Sequence, residues 1–200
     1  MTLGQRFARF VTVVVVRRPW LWRFLRPLTR RQFDTMAPSW QARRTGDTFA
    51  PVHAALDAIE RAPVRVLDLG TGTGAVARIL AERYPQAEIL GIDIAPRMID
   101  EACALTDAPN VRFEVADAFG LPYEDGAFDL VALGNMIPFF DELARVVAPG
   151  GEALFFFSAG ARTPIYVEPE RLRRELGRRG FAEFAELSAG RGTAFTARKR

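Results

Sequence analysis

Val66-Leu-Asp-Leu-Gly-Thr-Gly-Thr-Gly74 is an apolar strand pattern that closes on an acid and three glycines at alternate positions, with a helical pattern directly behind it. Glycines at such a turn let the backbone approach a ligand without a Cβ in the way, and they allow a tight passage from strand to helix. Gly70, Gly72 and Ala75 also satisfy the dinucleotide fingerprint G-x-G-x-x-G/A, so the turn alone does not choose the ligand. Asp68 does. It stands two residues before the first glycine, at the mouth of the strand, where it repels a pyrophosphate at short range and attracts a cation. S-adenosylmethionine carries an ammonium and a sulfonium and no phosphate, so its charge has the right sign. Asp93 ends the next strand pattern, within reach of both hydroxyls of a ribose, a feature that by itself suits NAD equally well. Asp117 ends the third and is followed by Ala118 and Phe119, which offers a carboxylate to an adenine amino group and an apolar wall to its ring. Three acids at the C-terminal ends of neighbouring strands converge on one crevice, the place where open α/β sheets bind ligands.

The elements that must position these acids follow from the hydrophobic pattern. Val64–Leu69, Ala87–Ile94, Val111–Val115, Phe128–Leu133 and Glu152–Phe157 read as five strands. Helices are predicted between them at Ala75–Tyr84, Pro96–Leu105 and Phe139–Val147, an alternation that builds a parallel sheet from βαβ units. The third crossover, Ala118–Gly126, is too short for a helix and carries Gly120, Pro122, Asp125 and Gly126, so it is read as a loop. Beyond the fifth strand, Glu168–Gly177 has helical periodicity. Phe181–Leu187 and Thr193–Ala197 then alternate around Gly190 and Gly192, as a closing β-hairpin does. Residues 1–60 read as two or three helices with breaks at Pro19, Pro27 and Ala37-Pro38-Ser39. They form a basic appendage to the domain of residues 61–200, too short to stand alone.

Four stretches, VLDLGTGTG, GIDIA, VADAFGLPYEDGAFDLV and ELARVVAPGG, resemble the class I S-adenosylmethionine-dependent methyltransferase superfamily, in particular its small-molecule branch of the ubiquinone and menaquinone biosynthesis type. The resemblance covers roughly residues 60–160. It implies an α/β, doubly wound, Rossmann-like sheet of seven strands in the order 3-2-1-4-5-7-6 with strand 7 antiparallel, which agrees with the hairpin read above. It also implies that Asp68, Gly70, Thr71, Gly72 and Gly74 face the methionine part of the cofactor and that Asp93 holds the ribose with Ile94 beside the adenine. Asp117 and Ala118 would then bind the adenine edge, with Asn135 next to the methyl group. In the resembling enzymes a stretch ahead of strand 1 folds over the cofactor as a helical lid, and Phe33-Asp-Thr-Met-Ala37 is similar to its opening. Phe33, Trp40 and Phe49, near Asp34, Met36 and Arg43, suit a small apolar or aromatic acceptor.

Displacement from a sulfonium has a good neutral leaving group, so positioning supplies much of the rate and no activated residue is strictly required. A phenol acceptor would need a base; the one histidine, His53, lies in a predicted helix ahead of strand 1, a place where histidine is more often structural. Asn135 and Pro138, in Gly134-Asn-Met-Ile-Pro-Phe-Phe140, are loosely similar to the Asn-Pro-Pro-Tyr motif of amino-methylating enzymes, but an extra residue intervenes and the second proline is missing. The plainer reading is a strand end leading into a helix whose phenylalanines pack in the core. Its short passage from Asn135 to the Phe139 helix leaves the pocket roof to the N-terminal segment.

Charge is distributed unevenly. The chain has 200 residues and a net charge of +3, yet residues 1–48 carry ten Arg against two Asp, residues 162–200 carry ten Arg plus Lys against five Glu, and the middle is acidic. A basic head meets something anionic, while an acidic middle holds something cationic. Arg17, Arg18, Arg23, Arg26, Arg30 and Arg31 can equally be a solvated helix face. Trp20, Trp22, Phe24 and Leu25 interleave with them in the composition of an interfacial helix, so residues 1–31 are expected to touch an anionic membrane peripherally. The longest apolar run, Phe10–Val16, is far short of the ~20 residues that span a bilayer, and the arginines behind it do not suit a secretory signal. Cys103 stands alone, which excludes an intramolecular disulfide and a cysteine-based zinc site; no metal is expected, and the cytoplasm is the expected compartment. Two alternatives remain at this point: a nucleic-acid methyltransferase, against which no recognition module is visible, and a protein that binds S-adenosylmethionine without transferring its methyl group.

Overall fold

β1 (Arg65–Leu69) is buried from Val66 onward on both faces, which is why it reads as an unbroken apolar run and not as an alternation. It runs through the centre of the sheet in the computed structural model, which describes residues 2–40 and 46–200. Around it lie β2 (Glu88–Asp93), β3 (Val111–Val115), β4 (Phe128–Gly134), β5 (Val147–Phe157), β6 (Phe181–Ala189) and β7 (Gly192–Lys199), in the order β3-β2-β1-β4-β5-β7-β6. The β1–β2, β1–β4, β2–β3 and β4–β5 pairs are parallel, and β7 is antiparallel to both β5 and β6. Leu69 pairs with Ile92 and Asp93 with Val115, so the register brings Asp68, Asp93 and Asp117 to the same edge of the sheet. The strand order and the antiparallel β7 are those the resemblance implies.

Helices α4 (Ala75–Arg83), α5 (Pro96–Ala104), α6 (Phe140–Val146) and α7 (Pro169–Gly177) fall within a residue or two of their predicted places. The crossover 118–126 is a loop, as its turn residues require, and Arg145 secures it by donating to the Leu121 and Tyr123 carbonyls and to Asp125. β5 starts five residues earlier than its hydrophobic pattern indicates. Val147 pairs with Phe128 across a bulge, and the Pro149-Gly150-Gly151 turn signal hides that pairing from a local reading.

The N-terminal segment forms α1 (Leu3–Arg17), a 3₁₀ turn at Pro19–Leu21, α2 (Trp22–Met36) and, after a second 3₁₀ turn at Ala37–Ser39, α3 (Ala50–Asp57). Breaks fall at Pro19 and Ala37-Pro38-Ser39 as expected. The break expected at Pro27 does not occur: α2 runs through it. Proline there forfeits one bond to the Arg23 carbonyl on the exposed side of the helix, while Trp22 and Thr29 are buried on the inner side and hold the helix in place. Val11, Val15, Val16 and Trp22 share one core cluster with Leu67, Leu69, Val131, Leu133 and Phe155 of the sheet. Arg171 reaches the Val16 carbonyl at 2.9 Å, and Arg9 reaches those of Ala161 and Thr163. Among the described residues, no helix is long and apolar enough to cross a membrane.

Candidate active site

The loop after β1 folds back on β2, with the Gly70 and Thr71 N–H groups donating to the Ile92 carbonyl at 2.9 and 2.8 Å. Gly70, Gly72 and Gly74 all take positive φ, which an L side chain resists. A Cβ on Gly70 would lie 2.7 Å from the Met136 sulfur. One on Gly74 would lie 2.7 Å from the Phe113 ring, so Gly74 serves the packing of α4 on the sheet. Asp68, 1% exposed, accepts a 2.6 Å hydrogen bond from the Thr71 hydroxyl. Asp93 accepts from the backbone N–H groups of Gly72 (3.0 Å) and Ala95 (2.9 Å). Burial nevertheless pushes its carboxyl up to about 6, against the lowering effect of those donors.

Asp117 accepts from three donors: Trp22 Nε1 (2.9 Å) and Phe119 N–H (3.0 Å) on one oxygen, and Arg26 (3.2 Å) on the other. Asn135, at φ 48°, exchanges hydrogen bonds with Ser158 at the end of β5: its side-chain N–H donates to the Ser158 hydroxyl at 3.1 Å, and its carbonyl oxygen accepts from Ser158 N–H at 3.0 Å. The residue expected beside the methyl group therefore spends its amide on clipping β4 to β5.

One cavity of about 560 Å³ is lined by Asp68, Gly70, Thr71, Gly72, Asp93, Ile94, Asp117, Ala118 and Asn135. Gly74 does not line it, and neither does His53, which is exposed on α3. The N-terminal residues Phe33, Met36, Trp40 and Phe49 line it too, while Arg43 lies outside the described residues. Asp34 caps the start of α5 by accepting from Arg97 N–H at 3.1 Å, and Phe33 and Trp40 pack on Ala95 and Met98. Sequence reasoning missed Thr29, Gln32, Ser158 and Ile165 as lining residues and took Trp22 for part of an interfacial face. Trp22 is 3% exposed and points inward. The signal was present in helical spacing: Trp22, Thr29, Phe33 and Met36 share one side of α2, whereas Phe24, Leu28 and Arg31 share the other.

A seven-stranded sheet with this order and an antiparallel β7, carrying a glycine loop between Asp68 and Asp93, is the architecture of class I S-adenosylmethionine-dependent methyltransferases. Residues 66–151 match the methyltransferase domain family. It is 48% identical over 103 residues to a demethylmenaquinone methyltransferase of Thermus thermophilus, an alignment covering 47% of each chain. It is 42% identical over 101 residues to a chloroplastic tocopherol O-methyltransferase of Arabidopsis thaliana, covering 45% of this chain and 29% of that one. The chain spans about half the length, or less, of the curated relatives it matches. In fold it is similar to the crystal structure of a SAM-dependent methyltransferase from Aquifex aeolicus, with a TM-score of 0.66 and 17% identity over 77% of this chain and 92% of that one.

The residues present suit S-adenosylmethionine. Two glycines open the backbone toward the cavity, and buried Asp68 puts negative charge where an ammonium would sit. Asp93, though it accepts from backbone N–H groups, also lines the cavity, where it can accept from hydroxyl donors. At the far end, the Ala118 N–H has no partner among the described residues and stands beside the Asp117 carboxylate. A donor next to an acceptor is the complement of an adenine edge.

Proposed function

We propose that this chain transfers the methyl group of S-adenosylmethionine to a small apolar or aromatic acceptor, with residues 61–200 holding the cofactor and residues 1–60 closing over it as a lid. A single cavity that runs from three carboxylates to an apolar wall supplied by the lid carries this reading. Bound S-adenosylmethionine supplies an electrophilic methyl on a sulfonium that departs as a neutral thioether. The chain's own residues have four tasks. Asp68 with the Gly70–Gly72 loop holds the methionine end, and Asp93 the ribose. Asp117 and the Ala118 N–H hold the base. Phe33, Met36, Ile137 and Ile165 exclude water and set the acceptor against the methyl. Asn135 shapes this end of the site through Ser158. His53 is exposed and does not line the cavity, so it is not placed to serve as its base.

Relatives named for demethylmenaquinone and tocopherol direct an acceptor screen to ring compounds of that lipophilic kind. Calorimetric titration tests the cofactor reading: S-adenosylmethionine and S-adenosylhomocysteine bind, and NADH does not. Binding of NADH, or of neither sulfur ligand, would overturn it. Transfer of labelled methyl to the screened ring compounds then separates an enzyme from a protein that only binds the cofactor.

A lipophilic acceptor also favours contact with the inner face of a membrane by a cytoplasmic protein, and the N-terminal hairpin has the surface for it. Six of the ten exposed large hydrophobics among the described residues lie between Leu3 and Leu28. Leu3, Phe10 and Val13 share a stripe of α1 with Arg6 and Arg17, and Arg23 stacks 4.6 Å over the Phe24 ring. Apolar side chains rimmed by arginines match an anionic bilayer. The chain should sediment with vesicles containing phosphatidylglycerol and not with neutral ones, and Trp20→Ala with Phe24→Ala should reduce the bound fraction several-fold. Equal partition to both vesicle types would remove the membrane from this proposal.

A further inference from the structure

Trp22 and Arg26 lie 91 to 95 residues from Asp117 in the chain, outside the residues that match the methyltransferase domain family, yet both donate to its carboxylate. We infer that these two residues of α2 are positioning residues of the adenosine site: they fix the Asp117 carboxylate so that it presents one remaining acceptor position to the amino group of the purine. This inference rests on the cofactor reading above.

A carboxylate has about four acceptor positions. Trp22 Nε1 and Phe119 N–H take both on one oxygen, and Arg26 takes one on the other. A single position is left, on the oxygen that Arg26 shares. The indole is a fixed donor because its ring packs against Phe139 at a centroid separation of 5.3 Å, and Phe139 is backed in turn by Phe119 at 5.6 Å. Trp22 is itself part of the cavity wall, so the donor that orients Asp117 is also a surface the ligand meets. Without the indole N–H, one oxygen keeps only the Phe119 amide and the other only the exposed Arg26, so the carboxylate is held less firmly about its last torsion. Arg26 adds charge at a side chain that is 53% exposed, where an ion pair contributes little. Trp22 is therefore the stronger of the two.

The test uses the full chain and two ligands, S-adenosylhomocysteine and its inosine counterpart, which has a carbonyl where the purine amino group was. Trp22→Phe keeps an aromatic ring in the core and removes only the N–H. It should weaken S-adenosylhomocysteine by about tenfold, the low end for a hydrogen bond to a charged group. The inosine ligand, which has no amino hydrogen to give to Asp117, should weaken by less than about twofold in the same variant, since the lost orientation no longer matters to it. Arg26→Gln, at an exposed position that cannot disturb the core, should show the same discrimination at about two- to threefold. Equal binding of S-adenosylhomocysteine by Trp22→Phe and the parent chain would overturn the assignment. So would equal losses for both ligands, which would make Trp22 a packing residue only. Failure of the parent chain to bind S-adenosylhomocysteine would instead overturn the cofactor reading, and this assignment with it.

Discussion

Asp93→Ala should weaken S-adenosylhomocysteine binding by about a hundredfold or more while the chain stays folded, because two hydrogen bonds from ribose hydroxyls to a charged acceptor are lost at roughly 1.5–3 kcal/mol each. The same carboxylate also accepts from Gly72 and Ala95, so its removal loosens the glycine loop against the start of α5. Titration calorimetry reads the loss directly, and affinity within about threefold of the parent would remove Asp93 from the site. The pH dependence gives an independent check. Burial raises the Asp93 carboxyl to about 6, and only the ionised form accepts from both hydroxyls. Affinity should therefore be flat above that pH and fall by up to about tenfold per unit below it. This group's contribution to the stability of the free chain runs the other way. Its folded-state value lies above the unfolded one, so it favours folding at low pH, and that contribution is lost as pH rises through the window from about 4 to 6. Opposed trends in affinity and stability across one window, both absent in Asp93→Ala, would be hard to produce from any other residue.

The contrast between Asp93 and Trp22 explains how much of this molecule could be read from its sequence. Asp68, the glycines and Asp93 are legible because strand, turn and acid are neighbours in the chain, and local spacing fixes what each can do. Even there spacing blurs roles: Gly74 continues the glycine pattern but answers to the Phe113 ring, a partner 39 residues away that no local pattern reveals. The pairing of β1 with β4, which skips two strands, came through resemblance and not through periodicity, since a strand carries no mark of its non-sequential neighbour. Pro27 misled because proline states a local cost, while the burial that outweighs it belongs to tertiary packing. Trp22 misled in the opposite direction. Its arginine-rich surroundings describe one side of α2, and its own side chain is on the other.

Removing residues 1–40 should unfold the chain and not merely uncover its site. A detachable lid would leave a sheet domain with its core intact, but α1 and α2 place Val11, Val15, Val16 and Trp22 in the cluster that contains Leu67, Leu133 and Phe155. Four buried side chains at roughly 1.5–3 kcal/mol each amount to about 6–12 kcal/mol, which is as large as the whole stability of an ordinary domain, about 5–15 kcal/mol. The Asp34 cap on α5 and the link from Arg171 to the Val16 carbonyl are lost as well. Urea titration followed by circular dichroism should show no cooperative transition for the truncated chain, with strong binding of a hydrophobic dye in buffer. A cooperative transition near the parent's midpoint would mean that the rest of the chain, α3 included, carries a sufficient core of its own. The N-terminal segment would then be free to open as a unit. The first outcome restricts motion over the cavity to lid side chains outside that cluster, such as Trp40, and excludes opening of the α1–α2 hairpin as a whole.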